Sequence, residues 1–258
     1  NLKLIIGSDF TSEEGLHFIV LAPDRLAYGQ LTTLISRARR RSEKGEYCVR
    51  VTDLQPATDA CLFIWLPDAE QCAQPDAHCD NFLRSTRSRL WIGLHNNLGA
   101  ADENLCLARL QFAHRTGLPL VACGNVRIHH PARQPLQDVL TAIRLNTSIH
   151  CAGFHLHANR EQYLRPLDEL QQRFPATALE QTVTIARRCT FSLDELKYEY
   201  PHELVPQGHS AQSWLRQLVE DGVRQRWPGG ADTKTRALIE KEMKAIINER
   251  DPVRTEVW

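Results

Sequence analysis

An α/β fold, with strands and helices alternating before helices take over alone, is the architecture this sequence predicts. Three observations carry that expectation. Short apolar runs bounded by polar or proline-containing segments suit buried strands, and apolar residues recurring three and four positions apart suit helices packed on a sheet. Beyond about residue 160 only the helical spacing persists. With 258 residues and 42% hydrophobic content the chain can bury the core of one large domain or two small ones, and a single α/β barrel has about this length.

Residues 2–6 and 16–22 are apolar runs separated by a polar segment containing Ser8, Asp9, Glu14 and Gly15, and they predict two strands joined by a polar loop. A helix follows, because Tyr28, Leu31, Leu34, Ile35 and Ala38 share one face and the cations Arg37, Arg39, Arg40 and Arg41 suit the negative end of a helix dipole. Residues 61–66 and 90–94 are continuous and rich in aromatic and β-branched side chains, so both predict buried strands, with a loop-rich stretch between them. Leu105, Ala108 and Phe112 place a helix over 103–116 that Gly117 can close, and 118–123 supply the next strand of a strand-helix-strand unit. Alternation of this kind predicts a parallel sheet or barrel whose working residues sit after the strands' carboxyl ends, where Asp9 and Asn125 fall. Helices are expected over 166–173, 176–188, 211–227 and 233–249. Pro166 suits a first turn, Ser210 and Asp232 are N-cap candidates, and Gly229-Gly230 marks a turn.

The 31 basic and 31 acidic side chains cancel, so the overall charge draws the chain neither to polyphosphate nor to a membrane surface. Eight cysteines are scattered without a paired spacing and read as reduced, mostly core residues. No stretch has the pattern of a signal peptide, and no apolar run approaches the roughly 20 residues that span a bilayer. A cytoplasmic protein is expected.

Several blocks carry a family likeness: Ile5-Ile-Gly-Ser-Asp-Phe10, His17-Phe-Ile-Val-Leu-Ala22, Gly117-Leu-Pro-Leu-Val-Ala122, the run 135–144 beginning Pro135-Leu-Gln-Asp-Val, and the run 191–206 beginning Phe191-Ser-Leu-Asp-Glu. Together they resemble the amino-terminal region of bacterial error-prone DNA polymerases of the C family. The first three are similar to the polymerase-and-histidinol-phosphatase (PHP) domain of such enzymes, and the last two to the error-prone branch. The resemblance implies an incomplete PHP-type (β/α) barrel over residues 1–206, with an upstream segment missing. Residues 207–258 would then be the helical start of a polymerase palm with a divergent tail. It further implies damage-tolerant synthesis and SOS mutagenesis by a parent enzyme. DNA and deoxynucleotides would be its substrates, a sliding clamp and SOS accessory proteins its partners, and Mg2+ would be held by palm carboxylates beyond Trp258.

Metal-competent PHP domains gather histidines and carboxylates from several strand ends around divalent ions. The positions that match here are Asp9, His17, Asn125 and Arg127. Where metal-binding relatives carry Asp and His, this chain reads Gly124-Asn-Val-Arg127, an amide and a guanidinium with no lone pair to donate. Zn2+ or Mn2+ is therefore not expected at this site, and no other cofactor is. An Asp9–Arg127 salt bridge is expected in place of the ions, together with a structural role for the barrel. A stand-alone PHP phosphoesterase or exonuclease is the alternative. Arg37, Arg39, Arg40 and Arg41 are candidate phosphate-backbone contacts, weighed against a plain solvated helix end. His155-Leu-His157 offers a strand-like imidazole pair, but the resembling polymerases carry no such pair and ordinary histidines are the preferred reading.

Overall fold

The computed structural model describes residues 3–54, 58–196 and 205–249. Of the motif at 191–206, residues 197–204 lie outside the described residues, as do Leu2 and the end of the tail from 250 onward. The chain divides into two units, Asn1–Leu196 and Lys197–Trp258.

In the first unit, strands β1 (Gly7–Thr11), β2 (His17–Leu21), β3 (Leu62–Trp65), β4 (Leu90–Leu94) and β5 (Leu120–Ala122) form one sheet in the order β1-β2-β3-β4-β5. The sheet is mixed and open. β2 runs antiparallel to both neighbours, whereas β3, β4 and β5 are parallel. The sheet is thus only partly parallel and is not closed into a barrel, which corrects the expected parallel sheet or barrel. The loop over residues 12–16, closed by the Ser12 N–H to Leu16 carbonyl bond of 2.9 Å, is too short for a crossover and can only reverse the chain. The first strand is also displaced from the expected 2–6: Leu4 is exposed, and pairing begins at Gly7, opposite Leu21.

Helix α1 (Arg25–Arg40) starts where the Asp24 carboxylate accepts from the Ala27 N–H, and buries Ala27, Leu31, Leu34 and Ala38. The stretch expected to be loop-rich holds two short helices, α2 (Ala69–Ala73) and α3 (Ala77–Thr86), each begun by an aspartate N-cap, Asp68 and Asp76. Helix α4 (Asp102–Thr116) ends at Gly117, whose φ of 69° is the left-handed conformation that closes a helix readily only with glycine.

α1, α3 and α4 cover one face of the sheet. There Phe18, Phe63, Trp65, Phe82 and Phe112 interlock with ring centroids 5.3 to 6.1 Å apart. β3 and β4 are buried along their whole length, as the continuous apolar runs require. At Gly93 neighbouring side chains fill the space a side chain would need: a Cβ there would lie 2.6 Å from Leu66 and 2.9 Å from Ile64.

Helix α5 (Gln134–Arg144) and the short α6 (Ile149–Ala152) follow β5, then α7 (Leu167–Arg173) and α8 (Ala176–Arg188). α8 covers part of the second sheet face through Ile185, beside Leu62, Ile64, Trp91 and Val121. The Trp91 indole N–H donates to the Gln181 side chain at 2.8 Å, tying α8 to β4. Residues 153–155 form a 3-10 turn, so His155 and His157 are not an alternating strand pair.

The second unit contains α9 (Ala211–Arg226) and α10 (Thr233–Glu249). Both expected N-caps are present: the Ser210 hydroxyl accepts from the Ser213 N–H at 3.2 Å and the Asp232 carboxylate from the Thr235 N–H at 2.7 Å. The two helices are joined by the ion pairs Arg216–Glu240 and Arg236–Glu220. Among the described residues, no helix is long and apolar enough to cross a membrane.

Candidate functional site at the strand ends

The β1–β2 hairpin places Asp9 opposite Ile19 and His17 opposite Thr11, so Asp9 and His17 are diagonal neighbours on one face, across the sheet from the aromatic core. They close on each other. His17 Nε2 lies 2.7 Å from the Asp9 carboxylate, with about half of each side chain exposed (43% and 57%). The His17 hydrogen bond holds the Asp9 carboxyl below its usual range. Partial burial opposes that shift, and the charges of His17 and Arg127 assist it. Asp9 therefore stands inside β1, not on a loop after a strand. It lines a cleft of about 460 Å³ with Ile5, Ile19, Leu21, Ile64 and Val121, walled on one side by Thr182 and Ile185 of α8.

Arg127 is exposed, and its backbone N–H donates to the Gln162 carbonyl at 2.8 Å. The expected Asp9–Arg127 contact is thus replaced by Asp9–His17, and Arg127 acts on Asp9 only through longer-range charge. The diagonal β1–β2 register brings the imidazole within reach of the carboxylate, whereas Arg127 follows β5 at the opposite edge of the sheet. Asn125 is also exposed. Its φ of 45° is left-handed, a conformation that Asn tolerates better than most side chains, so its type here has a backbone reason.

Residues that the sequence did not single out form the buried polar part of this end of the sheet. Arg109 of α4 is 2% exposed; its Nε donates to the Pro67 carbonyl at 2.7 Å, and one terminal nitrogen lies 3.3 Å from the Gly93 carbonyl and 3.0 Å from His95 Nδ1. Burial lowers the pKa of both Arg109 and His95, and the guanidinium charge pushes His95 down further. The guanidinium thus ties together the segments that follow β3 and β4. One signal was available: Arg109 falls on the same helical face as Leu105, Ala108 and Phe112. A polar strap over the same end joins Asn159 to the Asn97 carbonyl at 2.7 Å, Arg173 to the Asn96 carbonyl at 3.0 Å, and both Arg165 and Arg173 to Glu161.

Among the described residues, no three His, Cys, Asp or Glu side chains are grouped so as to hold a metal ion. Of the arginines at the end of α1, Arg39 donates to the Gly45 and Glu46 carbonyls and Arg41 grips Asp53 in a two-pronged ion pair. Arg37 and Arg40 are exposed and form no ion pair among the described residues. All eight cysteines are free thiols, four of them buried.

No family model matches the chain. Over 250 residues, 96% of this chain, it is 46% identical to an error-prone DNA polymerase of Pseudomonas syringae pv. syringae. It is 47% identical over 250 residues to that of Pseudomonas savastanoi pv. phaseolicola. A third relative, from Methylococcus capsulatus, is 46% identical over 247 residues. The chain spans about a quarter of the length of these curated relatives.

Proposed function

We propose that the chain is the PHP-type region of a C-family error-prone DNA polymerase, and that it serves as a structural support for nucleotidyl transfer carried out elsewhere in the enzyme. The observation that carries this reading is the similarity to error-prone DNA polymerases along 96% of the chain. On this reading the parent enzyme takes DNA and deoxynucleotides in damage-tolerant synthesis, with magnesium held by palm carboxylates. The sliding clamp and SOS accessory proteins would be its partners.

The residues at the strand ends support a structural role. A phosphoesterase cluster needs several imidazoles and carboxylates gathered around two or three ions, so that attacking and leaving oxygens are both neutralised. Here Asp9 and His17 satisfy each other, Asn125 offers only a neutral amide, and Arg127 adds a positive charge without a lone pair. That donor set does not fit zinc or manganese. The test is to incubate the chain with manganese and a 3′-labelled single-stranded oligonucleotide. No release of label is expected. Release that disappears in Asp9→Asn would replace this reading with a PHP exonuclease.

A further inference from the structure

Helix α5 is amphipathic in the wrong direction for a free surface. Leu136, Val139, Leu140 and Ile143 recur at the i, i+3, i+4, i+7 spacing that normally faces a core, yet they are 52%, 38%, 53% and 68% exposed. The side turned inward is polar or small: Gln134, Thr141 and Ala142 are its buried residues, and Gln134 is hydrogen-bonded to Asp138 at 2.7 Å. α6 packs against α5 and carries a further exposed aliphatic residue, Ile149. A stripe of large aliphatic side chains that is continuous, at helical spacing and outward-facing marks an interaction surface, whereas scattered exposed leucines would not.

We propose that this face of α5 docks onto the portion of an error-prone polymerase that lies outside the stretch this chain matches, and that the partner presents an apolar patch rimmed with carboxylates. The proposal rests on the functional reading above. Two observations select the occupant. The greater part of each relative lies outside the match, since the chain covers only 24% of the Pseudomonas syringae polymerase, so a large partner surface belongs to the same enzyme. The rim is also cationic. Exposed Arg133 and Arg144 stand at the two ends of α5, in helical register with Leu136 and Leu140, against the single carboxylate of the helix, Asp138, which is taken up by Gln134. A second copy of this chain would set like charges against each other, whereas an acidic rim would be attracted and oriented.

The whole chain is titrated with the portion of the Pseudomonas syringae polymerase outside the match, and the wild type is compared with the double variant Leu140→Glu, Ile143→Glu. Both positions are exposed, so unchanged thermal melting is expected for the variant. The wild type should bind, and the variant should bind at least about tenfold more weakly, as for central apolar anchors of an interface. Equal binding by the two overturns the α5 surface while leaving the scaffold reading standing. No binding by either, with the polymerase portion folded by circular dichroism, overturns both. Hydroxyl-radical footprinting removes the need for that portion to fold alone: the stretch of the intact relative that aligns with α5 should label several-fold less than α5 does in this chain. Equal labelling overturns the proposal. So does concentration-dependent dimerisation, or binding to phosphatidylglycerol vesicles, that the double variant abolishes.

Discussion

At the scale of single residues, the chemistry at the strand ends is set by who satisfies whom. The Asp9 carboxyl is held below its usual range mainly by His17, so its contribution to stability is present above the unfolded carboxylate value of about 3.9 and fades as pH falls through the lower folded value. Water screens this half-exposed pair, and its worth is about 0.2–1 kcal/mol. His17→Ala should raise the Asp9 pKa toward the ordinary value, as read by carboxyl-carbon NMR titration; an unmoved titration would show that His17 is not the cause. The larger energetic role belongs to Arg109. Arg109→Ala would leave the Pro67 and Gly93 carbonyls and His95 without their donor and should cost roughly 3 kcal/mol or more in urea unfolding. Exposed Arg127→Ala should cost under about 0.5 kcal/mol. The reverse ranking would contradict this account of the site.

Among the elements, those with unbroken apolar runs or long periodic faces were legible in the sequence. β2, β3, β4, α4, α8 and α10 fall within a residue or two of their expected bounds because continuity and helical spacing leave few alternatives. β1 was misplaced, since the apolar run 2–6 looked more strand-like than Gly7–Thr11. The decision rests on cross-strand partners, Phe10 against Phe18 and Gly7 against Leu21, which a single run of sequence does not reveal. α2 and α3 were hidden by their brevity, although Asp68 and Asp76 are N-cap signals. α3 supplies Phe82, fully buried within 5.3 to 5.8 Å of the rings of Phe18, Phe63 and Trp65. Phe82→Ala should therefore lower stability by about 3–5 kcal/mol in chemical denaturation. A loss below 1 kcal/mol, the range of an ordinary surface change, would mean that α3 does not close the core. At the candidate site, sequence supplied Asp9 and His17 but paired Asp9 with Arg127. The reach of one side chain to another depends on strand register and on sheet order, and both are long-range properties.

At the scale of the molecule, the first unit combines an open sheet, a cleft beside β1 and the outward stripe of α5, each of which leaves apolar surface facing water. The blocks that resemble error-prone DNA polymerases lie in a stretch, 96% of the chain, that is 46% and 47% identical to two such polymerases of Pseudomonas. The central proposal is that Asp9 and His17 satisfy each other and that, with Asn125 and Arg127 in the remaining positions, the site retains no divalent metal. Elemental analysis of the purified chain, after incubation with zinc and manganese and exhaustive dialysis, tests it most directly. The account predicts far less than one metal ion per chain. One or more tightly retained ions per chain, lost in Asp9→Ala and His17→Ala, would contradict it.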